Sequence, residues 1–230
     1  MKINAFVMDS ILYYSFSTLI IIVLSTVSYR FSNKNKKTLL LPVTLIAWQV
    51  IVGLIGSTGF YENFTLPPNL VYAGIVPTFI IFGLFFLSKT SKQLQVSTPK
   101  HIPILFQSFR IIVELLIFKA FLSGIGPIEA TFQGYNYEFY FGFSAIVVGF
   151  LAWKNLLNRK AILAWNVLGL FMLAFIVGIF ITSGLLYKEF WGRDAKMVKD
   201  AFLHMPYLSI ATFYMPIAVW MHIFSIKQYK

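Results

Sequence analysis

The chain has 230 residues, of which 58% are hydrophobic, only 12% are charged and none is cysteine. A soluble domain carries about a quarter charged residues, so a soluble enzyme, a disordered segment and a disulfide-stapled secreted domain are all excluded. The apolar residues come in long blocks, and the mean hydropathy is +0.76. These features indicate an integral membrane protein, and the formal net charge of +11 must be explained within that class.

Seven apolar stretches are each long enough for a helix that crosses about 30 Å of hydrocarbon, which takes about 20 residues. They lie near residues 10–30, 38–58, 70–88, 103–123, 139–155, 161–186 and 204–226. Segments with Asn, Pro, Gly and charge separate them, as loops require. The sequence therefore predicts an all-α integral membrane protein, a seven-transmembrane-helix bundle that forms one polytopic domain over residues 1–230.

The basic residues alternate between the two sides of these predicted spans. The first, third and fifth connections and the C-terminal end hold twelve basic residues and no acidic one. The remaining connections and the N-terminal end hold five basic residues against seven acidic ones. Because basic residues concentrate in cytoplasmic loops, the N-terminus is predicted outside and the C-terminus in the cytoplasm. The basic side is expected to meet anionic lipid headgroups, and no nucleic-acid partner is predicted.

The fourth predicted span carries the charges that orientation does not explain. Gln107, Arg110 and Glu114 follow each other at i, i+3 and i+7, so they share one helical face. Placing a charge at membrane depth costs about 3 kcal/mol on insertion scales, so the presence of each such residue has to be explained. Arg110 and Glu114 are close enough along the helix to neutralise each other. This pair is either a structural contact between helices or a site for a substrate, an ion or a proton.

Polar residues of three other predicted spans lie at matching depths. Gln49 is about as far from the cytoplasmic face as Glu114, whereas Asn166 and His222 lie nearer Arg110. The predicted substrate-binding set is Gln49, Gln107, Arg110, Glu114, Asn166 and His222. No metal site and no cofactor is predicted, because the three histidines are on different segments without ligand spacing and there is no cysteine.

Two short features recur along the chain. Residues 46–51 and 163–168 both place a Trp-amide pair, Trp48-Gln49 and Trp165-Asn166, after an alanine. The third and seventh predicted spans each contain an internal proline, Pro77 and Pro216. These matches predict two parallel three-helix units joined by the fourth helix, the layout of transporters whose repeats are related by an axis along the membrane normal.

Two segments are predicted on the outer face. Residues 124–138 are aromatic and contain two acids and no basic residue, which fits either an outer vestibule or an interfacial aromatic belt. Residues 189–202 have apolar positions at helical spacing and charge pairs at i, i+4, which predicts a short helix lying flat in the interface.

Transport of a small solute or ion at the Arg-Glu site is the function that the sequence favours. A non-catalytic membrane subunit or sensor, whose charged helix face docks a membrane partner or a second copy, is the first alternative. An intramembrane lipid-modifying enzyme that uses Glu114 and His222 is the third, although no paired-Asp motif or nucleophile–base spacing is present. The expected location is the bacterial cytoplasmic (inner) membrane.

Overall fold

The structure of the protein is a computed structural model that describes residues 2–32, 34, 36–63, 65, 67–185, 190 and 200–230. All regular structure in these residues is helical, which confirms the all-α class. The helices are α1 (Lys2–Phe31), α2 (Leu40–Ser57), α3 (Val76–Leu87), α4 (Lys89–Ser97), α5 (Ile102–Phe106), α6 (Arg110–Leu122), α7 (Glu138–Trp153), α8 (Arg159–Leu185) and α9 (Met215–Tyr229). Short 3-10 turns cover Lys36–Leu39, Phe60–Glu62, Gln107–Phe109, Ile128–Ala130 and Asp200–Leu203, and π-helical turns cover Val71–Ile75 and Ile210–Tyr214.

Four helical runs in the described part are long and apolar enough to cross a membrane, as a multi-pass membrane protein requires. They are Val7–Phe31, Lys37–Ser57, Arg159–Gly184 and Ile210–Tyr229. Val71–Leu87 and Lys89–Ser97 pass the same test together but are bent by 71°, and Glu138–Trp153 is apolar but shorter. The predicted number of seven spans and their orientation stay predictions.

The fourth predicted span, residues 103–123, is divided in the structure. The 3-10 turn Gln107–Phe109 joins α5 to α6. The residues that flank this turn, Phe106 and Arg110, keep right-handed helical dihedral angles. A 3-10 turn tightens the backbone locally, and such a change inside a helix often marks a hinge or a functional segment.

The bend between α3 and α4 has a local cause in Ser88. This residue is extended, with φ −67° and ψ 156°, and its hydroxyl accepts a hydrogen bond from Ser91 N at 3.1 Å. A serine in this conformation satisfies one of the free N–H groups at a helix start, so it ends α3 and begins α4. The polar residues of α4 therefore leave the direction of the apolar helix before them.

Large apolar side chains are exposed along the candidate spans. On α2 and α8, seven of them are more than half exposed, namely Leu40, Val43, Val50, Leu54, Val167, Leu168 and Phe171. A soluble monomer rarely exposes contiguous apolar surface on this scale. Lipid tails are as apolar as leucine, so these side chains have the surroundings they favour only in a bilayer.

The chain divides into two compact units. The first unit comprises Met1–Thr98 and Leu203–Pro216, and the second comprises Pro99–Phe202 and Ile217–Lys230. The first has an apolar core around Val52, Tyr61, Leu203 and Leu208. The second has two apolar clusters, one around Ile104, Ala152 and Ile162 and another around Ala130, Ile176 and Ile179. This division differs from the predicted three-helix units, and the repeat stays a prediction.

The interfacial helix predicted near 189–202 falls largely outside the described residues. Of this range the structure describes residue 190 and residues 200–202, and the latter begin the 3-10 turn Asp200–Leu203.

Candidate functional site

Glycines bring α7 close to α5 and α6 in the second unit. A Cβ at Gly142 would lie 2.9 Å from Ile111 Cγ1, and one at Gly149 would lie 2.5 Å from Leu105 Cγ. The residue numbers rise along α7 as they fall along its neighbours, so α7 runs antiparallel to them. Small residues allow this close approach of two backbones, which is the common way to pack helices in a membrane.

This register places the start of α7 beside the middle of the α5–α6 run. Residues 123–137, here called the returning segment, therefore run back along the second half of α6. The ring of Phe132 lies 4.7 Å from that of Phe118 on α6, and Ile128–Ala130 contacts both α6 and α8. Non-helical backbone at membrane depth is tolerated where protein buries it.

The returning segment only partly fits the predicted outer vestibule or aromatic belt. Tyr135 and Tyr137 are about half exposed, as a belt requires. Glu129 and Asn136, in contrast, are buried within the second unit. Their burial follows from the path of the segment, since it packs along α6 instead of lying on the surface.

Arg110 has a different carboxylate partner from the predicted one. Its guanidinium forms an ion pair with Glu138, the first residue of α7, and both side chains are only 3% exposed. Arg110 also lies over the ring of Phe141, with its Cζ 4.7 Å from the ring centroid. The direct ion pair therefore joins two helices, and Glu114 on the same helix adds an electrostatic attraction to Arg110.

His222 connects Arg110 to Asn166. Its Nε2 lies 3.1 Å from Arg110 Nη1, and its Nδ1 lies 2.9 Å from Asn166 Oδ1. A guanidinium only donates hydrogen bonds, so Nε2 accepts and Nδ1 carries the proton that is donated to Asn166. The amide of Asn166 in turn donates to Ser225 Oγ at 3.0 Å and to Ile162 O at 2.9 Å. These contacts hold a neutral imidazole beside the guanidinium.

Glu114 is bound by the returning segment. Its carboxylate accepts a hydrogen bond from Asn136 Nδ2, which also donates to Ala130 O at 2.9 Å. Asn136 Oδ1 accepts from the backbone N–H of Glu138 at 3.0 Å. The asparagine therefore links the two acidic residues of the site while its own orientation is fixed from both sides.

Gln107 completes the polar interior of the second unit. Its Nε2 donates to Ala218 O on α9 at 2.9 Å. The buried polar atoms that have no hydrogen-bond partner within the described part of the chain include Gln107 Oε1, Arg110 Nε and Glu138 Oε1. Buried polar groups are nearly always paired with protein or water, so unpaired ones indicate a place where water or a ligand is held.

Five of the six predicted site residues meet in the second unit. All five, namely Gln107, Arg110, Glu114, Asn166 and His222, are buried in that unit, and Arg110, His222 and Asn166 are joined by direct contacts. Gln49 belongs instead to the first unit, where its Nε2 donates to Thr212 O at 3.2 Å. Matching depth along the predicted spans was therefore not enough to assign Gln49 to the same cluster.

Gln49 takes part in a second polar cluster, which lies around two prolines in the first unit. A π-helical turn ends two residues before each proline, Val71–Ile75 before Pro77 and Ile210–Tyr214 before Pro216. A proline has no N–H, so the carbonyl four residues earlier lacks its helical partner. Both of these carbonyls receive side-chain donors, Thr212 O from Thr78 Oγ1 at 3.2 Å and Ala73 O from Tyr61 Oη at 3.5 Å.

The two Trp-amide pairs make similar contacts in their separate units. Trp48 Nε1 donates to Thr78 Oγ1 at 2.6 Å, and Trp165 Nε1 donates to Ser144 Oγ at 3.0 Å. The amide that follows each tryptophan reaches residues 210–229, Gln49 at Thr212 and Asn166 at Ser225. The recurring motifs thus have the same local role.

Sequence reasoning missed three members of the site: Asn136, Glu138 and Phe141. The predicted outer connection included Asn136 and Glu138, where charge and polarity need no explanation. One signal was present in Glu138, which directly precedes the predicted span 139–155. If that span begins below the membrane surface, an acid at its start is as costly as one inside it. The structure describes no group of three or more His, Cys, Asp and Glu side chains that could hold a metal ion.

Comparisons of the chain with models of protein families, with curated proteins and with solved structures found no match in any of the three. The class of the protein therefore rests on its own features. Its all-helical elements, its apolar helices and its exposed apolar faces are those of a multi-pass membrane protein.

Proposed function

We propose that this protein transports a small solute or ion and that the buried polar network of its second unit is the binding site. The site comprises Gln107, Arg110, Glu114, Asn136, Glu138, Asn166 and His222. The proposal includes seven membrane crossings, with the N-terminus outside and the C-terminus in the cytoplasm of a bacterial cell. It also retains the parallel repeat, which the like contacts of the two Trp-amide pairs support.

The observation that carries this proposal is the charge balance of the interior. Among the described residues of the second unit, three carboxylates are buried, Glu114, Glu129 and Glu138, against the single guanidinium of Arg110. A purely structural ion pair needs one charge of each sign. Charges at membrane depth are costly and face the interior or a water-filled path when they serve a function. The surplus of carboxylates favours a proton or another cation as a species that the site holds.

The guanidinium of Arg110 is not free to bind an anionic group. Glu138, His222 and Phe141 already surround its guanidinium. An anion would therefore have to displace Glu138, whereas a cation or a proton adds to the carboxylates without breaking this pair. This difference favours cationic or proton-coupled solutes over simple anions.

The other two functions find less support in the contacts of the site. A face that docks a partner must be exposed, but Gln107, Arg110 and Glu114 are at most 4% exposed within this chain. An acid–base pair of Glu114 and His222 needs mutual contact, but Glu114 bonds to Asn136 and His222 bonds to Arg110 and Asn166.

The test is transport by the purified protein in liposomes. Capacitive currents are recorded on a solid-supported membrane while sodium, potassium, protons, amino acids, sugars and carboxylic acids are applied one at a time. At least one of these probes is expected to give a current that Glu114→Gln abolishes. Glu62→Gln is the matched control, since it makes the same chemical change at a half-exposed residue of the first unit.

The proposal is wrong if correctly folded protein gives no current with any probe. It is also wrong if the current is equal in wild type, Glu114→Gln and Glu62→Gln. Correct folding is checked in each case by the tryptophan fluorescence of the five tryptophans, which are distributed over the chain.

A further inference from the structure

The geometry points to Glu114 as the group that takes up and releases a proton during transport, with Glu138 as the permanent counter-charge of Arg110. This inference rests on the proposed function and names the species that the site exchanges. It assigns different roles to two carboxylates that the sequence alone does not distinguish.

Glu138 is held in the charged form by its surroundings. It pairs directly with the Arg110 guanidinium, which is itself fixed by His222 and by the ring of Phe141. Removing the charge of one partner in a buried ion pair leaves the other uncompensated, which is strongly unfavourable. A proton on Glu138 would therefore strand a buried guanidinium, and the pair stays ionised as a unit.

Among the described residues, Glu114 forms no direct ion pair: Arg110, one turn earlier on α6, attracts it electrostatically but forms its ion pair with Glu138. The hydrogen-bond donor that reaches it is the neutral amide of Asn136, whose orientation is fixed by Ala130 O and by the backbone N–H of Glu138. One neutral donor does not offset the cost of burying a carboxylate, and such a group neutralises by binding a proton. Its side chain is buried, with only 4% of the residue exposed.

The other titratable groups around Glu114 agree with this division. Arg110 lies one turn earlier on α6 and is paired with Glu138 of α7. His222 of α9 accepts a hydrogen bond from Arg110 and is therefore neutral. Glu129 of the returning segment is buried and adds negative charge, and Lys119 lies five residues further along α6 and is partly exposed.

The proton step is balanced without any further reactant. A proton from water on one side binds a Glu114 oxygen and converts the carboxylate to a carboxylic acid. The same proton then leaves to water on the other side, which restores the carboxylate. The hydrogen bond from Asn136 strengthens when Glu114 is ionised, because bonds to charged acceptors are about twice as strong as neutral ones. Proton exchange at Glu114 thus acts directly on the returning segment.

The experiment is infrared difference spectroscopy on the whole protein in lipid, titrated with pH in light and heavy water. A protonated carboxylic acid has a carbonyl stretch that is separate from that of a carboxylate and that shifts in heavy water. We expect one such band to appear above the pH at which exposed carboxylates are protonated, to be lost in Glu114→Gln and to persist in Glu62→Gln. Glutamine mimics the protonated acid in size and charge, so this variant is expected to fold.

Two results would overturn the inference. One is a band that persists in Glu114→Gln, or that disappears in Glu129→Gln instead. The other is a band that sodium removes at constant pH, since Glu114 would then bind a metal cation rather than a proton. Solute-driven currents without any such band contradict the proton assignment alone. A Glu114 band without a current for any solute contradicts the proposed function while the protonation of Glu114 stands.

Discussion

The partner of Arg110 gives the sharpest test of the structure against the sequence. Helical spacing suggested Glu114, whereas the structure pairs Arg110 with Glu138 across two helices. Two double-mutant cycles separate these possibilities. One combines Arg110→Met with Glu138→Gln, and the other combines Arg110→Met with Glu114→Gln. Each replacement keeps the approximate size of the side chain while removing its charge.

The expected magnitudes follow from burial. Arg110 and Glu138 are both 3% exposed, and removing one partner of a buried ion pair costs about 3–5 kcal/mol. The double variant loses both charges and recovers part of this cost, so the coupling energy should be about 2–3 kcal/mol. Arg110 and Glu114 are also buried and attract each other, but they form no direct ion pair, so their coupling energy should be smaller than that of Arg110 and Glu138.

Reversible unfolding in mixed micelles, followed by tryptophan fluorescence, gives the free energies for both cycles. All variants are compared in one detergent and at one pH so that differences in the unfolded state cancel. A coupling energy that is larger for Arg110 and Glu114 than for Arg110 and Glu138 would refute the assigned pairing, and with it the division of roles between the two carboxylates.

The same unfolding measurement checks two further predictions on packing and polar contacts, and NMR checks a third. Gly149→Ala should lower the free energy of unfolding by about 1–3 kcal/mol, because its Cβ would lie 2.5 Å from a leucine side chain, whereas Gly178→Ala has nothing within 4 Å and should be neutral or slightly stabilising. Thr78→Val should cost about 1–3 kcal/mol because it leaves buried partners unpaired. Thr44→Val, whose hydroxyl bonds only its own helix, should cost far less, and equal effects would contradict the cluster. Asn166→Leu should remove the fixed Nδ1–H tautomer of its histidine neighbour in nitrogen NMR, and an unchanged tautomer would show that another group holds it.

The hydroxyl contacts of the first unit show which structural consequences of a proline can be predicted from the sequence. A proline inside an apolar stretch predicts a freed carbonyl, and Pro216 frees the one of Thr212. The sequence alone does not predict which side chains donate to that carbonyl, because the two donors, Gln49 and Thr78, are far from it along the chain, Thr78 by 134 residues. The residue at the kink is thus predictable and its partner is not.

The candidate site divides in the same way. Gln107, Arg110 and Glu114 were predicted together because positions i, i+3 and i+7 of a helix lie on one face. Asn166 and His222 were added by depth, and His222 contacts both Arg110 and Asn166, whereas Gln49 has its contact in the first unit. Depth gives the position of a residue along the membrane normal, but it does not determine which helices are neighbours. Residues at matching depth can therefore belong to different clusters, as Gln49 does.

The sequence by itself determined the class of the protein, most of its helices and the face that carries the buried charges. Those follow from local quantities, namely hydropathy over about 20 residues and the period of the helix. Only the tertiary structure decided that the returning segment folds along α6 and brings Asn136 to Glu114. It also decided that the counter-charge of Arg110 is Glu138. The path of a connection depends on its contacts with side chains of other helices, so it cannot be predicted from hydropathy along the chain.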